Sequence, residues 1–207
     1  MNIILLILAL AFNLKANARE SAIEAVDKNN LRVCADPSNL PFSNEKGEGF
    51  ENEIANLLGE KLNIPVVYDF FPQVIGYVRN TLNKKKCDII IGITAGNELV
   101  LNTIPYMRWA YGMVYLKDSG IDVDRPDHPQ LAELSIGVQA GTPPTFVLQR
   151  YNLMGRVRPY NLTFDPRVAV IGETMIEDMI DGLIDIAFMS GPIASHYLNK
   201  KGYDKNK

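Results

Sequence analysis

The chain has 207 residues, and its 24 acidic against 21 basic side chains leave a formal net charge of −3. That balance excludes a partner held by bulk charge, whether nucleic acid or an anionic membrane. Hydrophobic residues at 47% and charged residues at 22% belong to a globular protein and exclude a disordered chain.

The chain opens on Ile3–Phe12, a continuous apolar run too short to span a bilayer, followed by Ala16-Asn17-Ala18 with small residues at the first and third places. Residues 1–18 therefore read as a secretory signal peptide cleaved after Ala18, leaving a mature chain outside the cytoplasm with no stable membrane insertion. No cysteine stands directly after the cut, where Arg19 is found, so a lipid anchor has no acceptor there.

Leu31–Asp36 has the alternation and β-branching of a strand. The loop Asp36–Glu48 is long for a strand-to-helix connection and mixes polar groups with the aromatic Phe42. Phe50, Ile54, Leu57, Leu58 and Leu62 then recur at helical spacing, which predicts a helix over Gly49–Leu62 with one apolar stripe. Val66–Phe70 is a second strand. A short helix runs through Ile75, Val78 and Leu82, and Lys84-Lys85-Lys86 reads as a solvated turn. Asp88–Ile93 is apolar on both faces, as the middle strand of a parallel sheet is. Trp109–Leu116 has strong β propensity.

Composition changes over Asp118–Pro129, a proline-containing connector. A second series follows: strand Ser135–Val138, the turn Gln139–Thr142, a helix opened by Pro143-Pro144, strand Val157–Tyr160, helix Glu173–Asp181, strand Asp185–Met189, and a last helix through Tyr197. Two βα series joined by a connector predict an α/β protein of two lobes, 19–117 and 118–207, with a cleft between them. Cys34 and Cys87 are the only cysteines. Export lets them oxidise, but Cys34 lies late in its strand and Cys87 precedes its own, an offset of several residues at about 3.3 Å each. The pairing stays open on these grounds.

The segments LRVCADPSNLPFS, GEGFENEIANLLGEKLNI, CDIIIGIT, IPYM, IGVQAGT and IDIAFMSGPIASHYL, in this order, resemble the periplasmic solute-binding proteins of family 3. Within that group, RVCADPSNLPFSNEKGEGFENEIA with RNTLNKKKCDIIIGITAGNELV is most similar to the branch associated with quinoprotein dehydrogenases and methanol oxidation. The resemblance implies a type II periplasmic binding-protein fold whose two lobes are mainly parallel sheets flanked by helices. It also implies a periplasmic, non-catalytic accessory role toward a dehydrogenase that uses pyrroloquinoline quinone, with no cofactor of its own. Against the family pattern, the return crossing to the first lobe and the C-terminal helix are expected to be missing from this chain. The Arg that grips a substrate carboxylate in amino-acid-binding members is replaced by Leu99, and the Asp that holds the α-ammonium by Ser190. Arg79 and Glu98 are the charges left to substitute.

Loop ends at the carboxyl edges of the strands supply the candidate ligand-binding residues: Asp36, Asn39 and Phe42, then Phe71 and Gln73, then Thr94, with Gln139, Gly141, Thr142 and Ser190 from the second lobe. No catalytic or metal-ligating set emerges, since His128 and His196 lack metal-ligand spacing to any cysteine or carboxylate. Gly47-Glu48-Gly49 follows a loop rather than a strand, so it is no dinucleotide fingerprint. The alternative to the accessory role is a solute receptor that serves an ABC permease and carries a small polar ligand other than a free amino acid. An enzyme on the same fold, similar to cyclohexadienyl dehydratase, comes third.

Overall fold

The computed structural model describes residues 27–160 and 170–202. The expected signal segment and the polar tail lie outside the described residues. Among the described residues, no helix is long and apolar enough to cross a membrane.

The first sheet is parallel, in the order β4-β1-β5, from β1 (Leu31–Ala35), β4 (Val66–Phe70) and β5 (Ile89–Ile90). Leu31, Val33, Cys34 and Ala35 are all buried, which is why β1 takes the centre. After β1 the chain forms a small antiparallel ribbon of β2 (Ser38–Asn39) and β3 (Ser43–Asn44). Helix α1 (Phe50–Leu62) follows, and its start is tied to the ribbon. Asn52 Oδ1 accepts from the N–H groups of Gly49 and Asn44, each at 3.1 Å. The Glu51 N–H donates to Phe42 O at 2.8 Å.

The buried face of α1 corrects the predicted stripe. Ala55 and Gly59 meet the sheet, while Leu57 and Leu62 are 50% and 58% exposed. A Cβ on Gly59 would stand 2.5 Å from Val66 Cγ2, so the helix rides too close for leucines at the contact. The next helix, α2 (Tyr77–Asn80), begins only after Gly76 at φ +90 and leaves Ile75 exposed, shorter than the spacing predicted. The strand expected over Asp88–Ile93 pairs only at Ile89 and Ile90, and Gly92 at φ +86 turns the chain out of the sheet.

Cys34 and Cys87 form a disulfide with a Cα separation of 5.5 Å. A straight approach to β5 would have held them apart. Instead Lys86 N–H donates to Thr81 O and Asp88 N–H to Arg32 O, so the chain bends over the sheet before the strand starts. Cys87 then packs with Cys34, Tyr77 and Val78.

The second sheet has the order β6-β9-β7-β8, from β6 (Tyr111–Tyr115), β7 (Ile136–Gln139), β8 (Val157–Tyr160) and β9 (Ile186–Ser190). Strands β7, β8 and β9 are parallel, and β6 runs antiparallel to β9. Helices α3 (Pro143–Arg150), α4 (Ile171–Ile180) and α5 (Gly191–Lys200) complete this unit. Met175, Ile176, Met179 and Tyr197 fill one core. Leu131, Ile136, Leu148 and Ile186 fill another, each fully buried and worth about 2 kcal/mol relative to exposure.

This pairing moves the expected boundary. Tyr111–Tyr115 already belongs to the second sheet, so the chain crosses upstream of Tyr111 rather than after residue 117. The proline-containing stretch is no bridge either: Val123 is 4% exposed and packs with Leu131 and Ile136 inside the second unit.

Candidate functional site

The carboxyl ends of β1, β4 and β5 and those of β7 and β9 border a common cleft of about 280 Å³. Parallel sheets leave backbone groups and loops free at that edge, where ligands of open α/β folds bind. The first unit contributes Asp36, Asn39, Phe42, Glu51, Gln73 and Thr94, and the second Tyr111, Gln139 and Ser190; Trp109 comes from the crossing.

Asp36, directly after β1, is 6% exposed and its carboxylate is already engaged. Oδ1 accepts from Ser38 N–H at 2.8 Å and Oδ2 from Gln73 N–H at 2.6 Å, so one side chain ties the loop after β1 to the loop after β4. Burial pushes its pKa up, and the two N–H groups counter the rise. Asn39 Nδ2 adds a longer bond of 3.4 Å to Gln73 Oε1.

Glu51, in the first turn of α1, is 5% exposed. Tyr106 OH donates to its Oε1 at 3.1 Å, while Oε2 has no donor among the described residues. A Cβ at Gly92 would lie 2.1 Å from Glu51 Oε1, so only glycine leaves room for this carboxylate beside β5. Burial pushes the Glu51 pKa up to about 7, Tyr106 opposes the shift, and the neighbouring Asp36 charge adds to it.

Aromatic surface lies beside these acids. Phe42 is buried, with ring centroids 5.1 Å from Phe50 and 5.2 Å from Trp109. Across the cleft, Ser190 is 8% exposed and its Oγ has no hydrogen-bond partner among the described residues. Among the described residues, no Lys, Arg or His lines the cleft.

Seven of the ten candidates from sequence therefore border this space: Asp36, Asn39, Phe42, Gln73, Thr94, Gln139 and Ser190. Phe71 does not, because it packs against Tyr77 at 6.3 Å over the disulfide. Gly141 and Thr142 do not either. Gly141 turns the chain at φ +75, and Thr142 Oγ1 is spent on Gln139 O at 2.6 Å. Arg79 and Glu98 also lie outside the lining. Sequence reasoning missed Glu51, Trp109 and Tyr111. A glycine breaking the isoleucine run at Gly92 was the available sign of Glu51, and the lone tryptophan was the sign of the aromatic wall.

No family profile matches the chain. It is 31% identical over 183 residues to protein MoxJ of Paracoccus denitrificans, a match covering 83% of this chain and 66% of that protein. It is 38% identical to periplasmic binding protein XoxJ from Methylobacterium extorquens AM1, covering 83% of this chain and 73% of that one with a TM-score of 0.68. An ancestral arginine-binding protein solved with glutamine is 20% identical, with 85% and 76% of the two chains covered and a TM-score of 0.61, a likeness of fold alone. The chain spans about two thirds of the length of the curated relatives it matches, 66% in each case.

Proposed function

The chain belongs to the MoxJ and XoxJ family of periplasmic binding proteins, and from that membership we propose that it is a non-catalytic accessory factor for a periplasmic dehydrogenase. The partner is a methanol-oxidising enzyme dependent on pyrroloquinoline quinone, and the chain reaches it after export and cleavage behind Ala18. The observation that carries this reading is the cleft lining. A free amino acid entering it would meet two carboxylates and, among the described residues, no cationic side chain for its own carboxylate. Desolvating that carboxylate without a partner is costly. Leu99, at the position of the family's gripping Arg, is 64% exposed and outside the cleft. The amino-acid-receptor role is thus poorly supported, which favours docking on a partner.

The test is a pull-down from native periplasmic extract with the exported chain as bait. Retention of a quinoprotein dehydrogenase is the expected result. Its absence, together with retention of a permease complex, would overturn the reading in favour of a solute receptor. That second reading draws on the Glu51 oxygen and the Ser190 hydroxyl that have no hydrogen-bond partner among the described residues, which leave the cleft chemically equipped for a small molecule.

A further inference from the structure

Among the described residues, the charged groups of the cleft have one sign. Asp36 and Glu51 line it, and among the described residues no basic side chain does. Asp36 is committed to two backbone N–H groups, which leaves Glu51 Oε2 as the carboxylate oxygen unengaged among the described residues. Beside it stands an aromatic surface. Glu51 N–H bonds to Phe42 O, the Phe42 ring packs on Trp109, and Trp109 and Tyr111 both line the cleft. Aromatic faces next to a carboxylate attract an organic cation through the ring quadrupole and direct charge together. From the second unit, Ser190 lines the same space, and its buried hydroxyl has no partner among the described residues. A buried hydroxyl left unsatisfied is costly, and a ligand bearing a hydroxyl would satisfy it.

We infer that this cleft binds a small organic ammonium ion, with its positive charge between Glu51 Oε2 and the aromatic wall of Trp109 and Tyr111 and a polar group of the ion on Ser190 Oγ. The volume of about 280 Å³ leaves room for an ion of this size. The inference goes beyond the accessory role and stands or falls apart from it, because it concerns the cleft and not the docked partner.

Trp109 is the only tryptophan of the chain, so its fluorescence reports on the cleft directly. The experiment titrates the full chain at pH 8 with choline, its uncharged carbon isostere 3,3-dimethyl-1-butanol, and acetate, with ionic strength matched by sodium chloride. Choline is expected to give a saturable change, with an affinity at least about tenfold above that of the isostere, and acetate none. Glu51→Gln should weaken choline by about tenfold or more and leave the isostere unaffected. Choline should also bind more weakly at pH 6 than at pH 8. Glu51 becomes protonated over that range, while burial pushes the pKa values of its neighbours Tyr106 and Tyr77 up and away from it, and Asp36 is the second acid facing it. Equal binding of choline and its isostere, saturable binding of acetate, or no saturable response to choline would each overturn the proposal. These comparisons use the unaltered chain and decide the matter even if the variant does not fold.

Discussion

Glu51 is an acid whose ionisation the fold resists. Its pKa lies at about 7 in the folded chain against an ordinary 4.5, chiefly because burial disfavours the charged form. The folded state therefore holds more protons than the unfolded one between those two values. Stability from this group is fully present below about pH 4.5 and is lost as pH rises through about 7. The loss amounts to at most about 3 kcal/mol. Glu51→Gln keeps the shape and cannot ionise, so it should equal the parent near pH 5 and exceed it near pH 8 in urea unfolding. A variant no more stable than the parent at pH 8 would refute this account. Asp36 is a different case, since both its oxygens hold backbone N–H groups. Asp36→Asn loses one acceptor and should cost about 1–3 kcal/mol at neutral pH, measured by the same method.

The elements that position the site depend on small residues more than on apolar stripes. Gly49 caps α1 where a Cβ would fall 2.1 Å from Phe42 O, a backbone atom that cannot move aside. Gly49→Ala should therefore destabilise by about 3 kcal/mol or more and loosen the Phe42 ribbon. Gly47→Ala, in open space at φ +77, should cost only about 1 kcal/mol of backbone strain. Comparing the two by thermal unfolding separates crowding from strain. The same small residues explain what was legible in the sequence. Strands such as Leu31–Ala35 and Ile186–Ser190 could be read from apolar runs, and seven cleft residues from their place after strands. The face of α1 could not, because leucine periodicity marks a stripe but does not reveal that Gly59 sits against Val66. Glu51 stayed hidden for a related reason. An acid in the first turn of a helix is ordinarily a solvated capping charge, and only the fold buries it next to Gly92.

At the scale of the whole molecule, each sheet has its own cores, and the disulfide belongs to the first unit alone. Linking residues 53 apart is worth about 4 kcal/mol in the chain-entropy picture. Calorimetry of the reduced chain should split into two transitions, with hydrogen exchange assigning the earlier one to β1, β4 and β5. A single cooperative transition after reduction would show that the two units unfold as one. The crossing before Tyr111 was not legible for a similar large-scale reason: strand propensity gives no sign of which sheet a strand joins.

The same link makes the timing of maturation matter. Cys34 and Cys87 are 1% and 3% exposed once the first unit is packed, so an oxidant or a reductant finds them only in the open chain. A thiol-rich compartment keeps the pair apart, and the first unit there lacks this covalent tie. In an oxidising compartment the bond closes during folding and is then sealed beneath Tyr77 and Val78. A chain that folds before oxidation would bury two free thiols and keep the weaker form, so the order of events decides which protein the cell obtains.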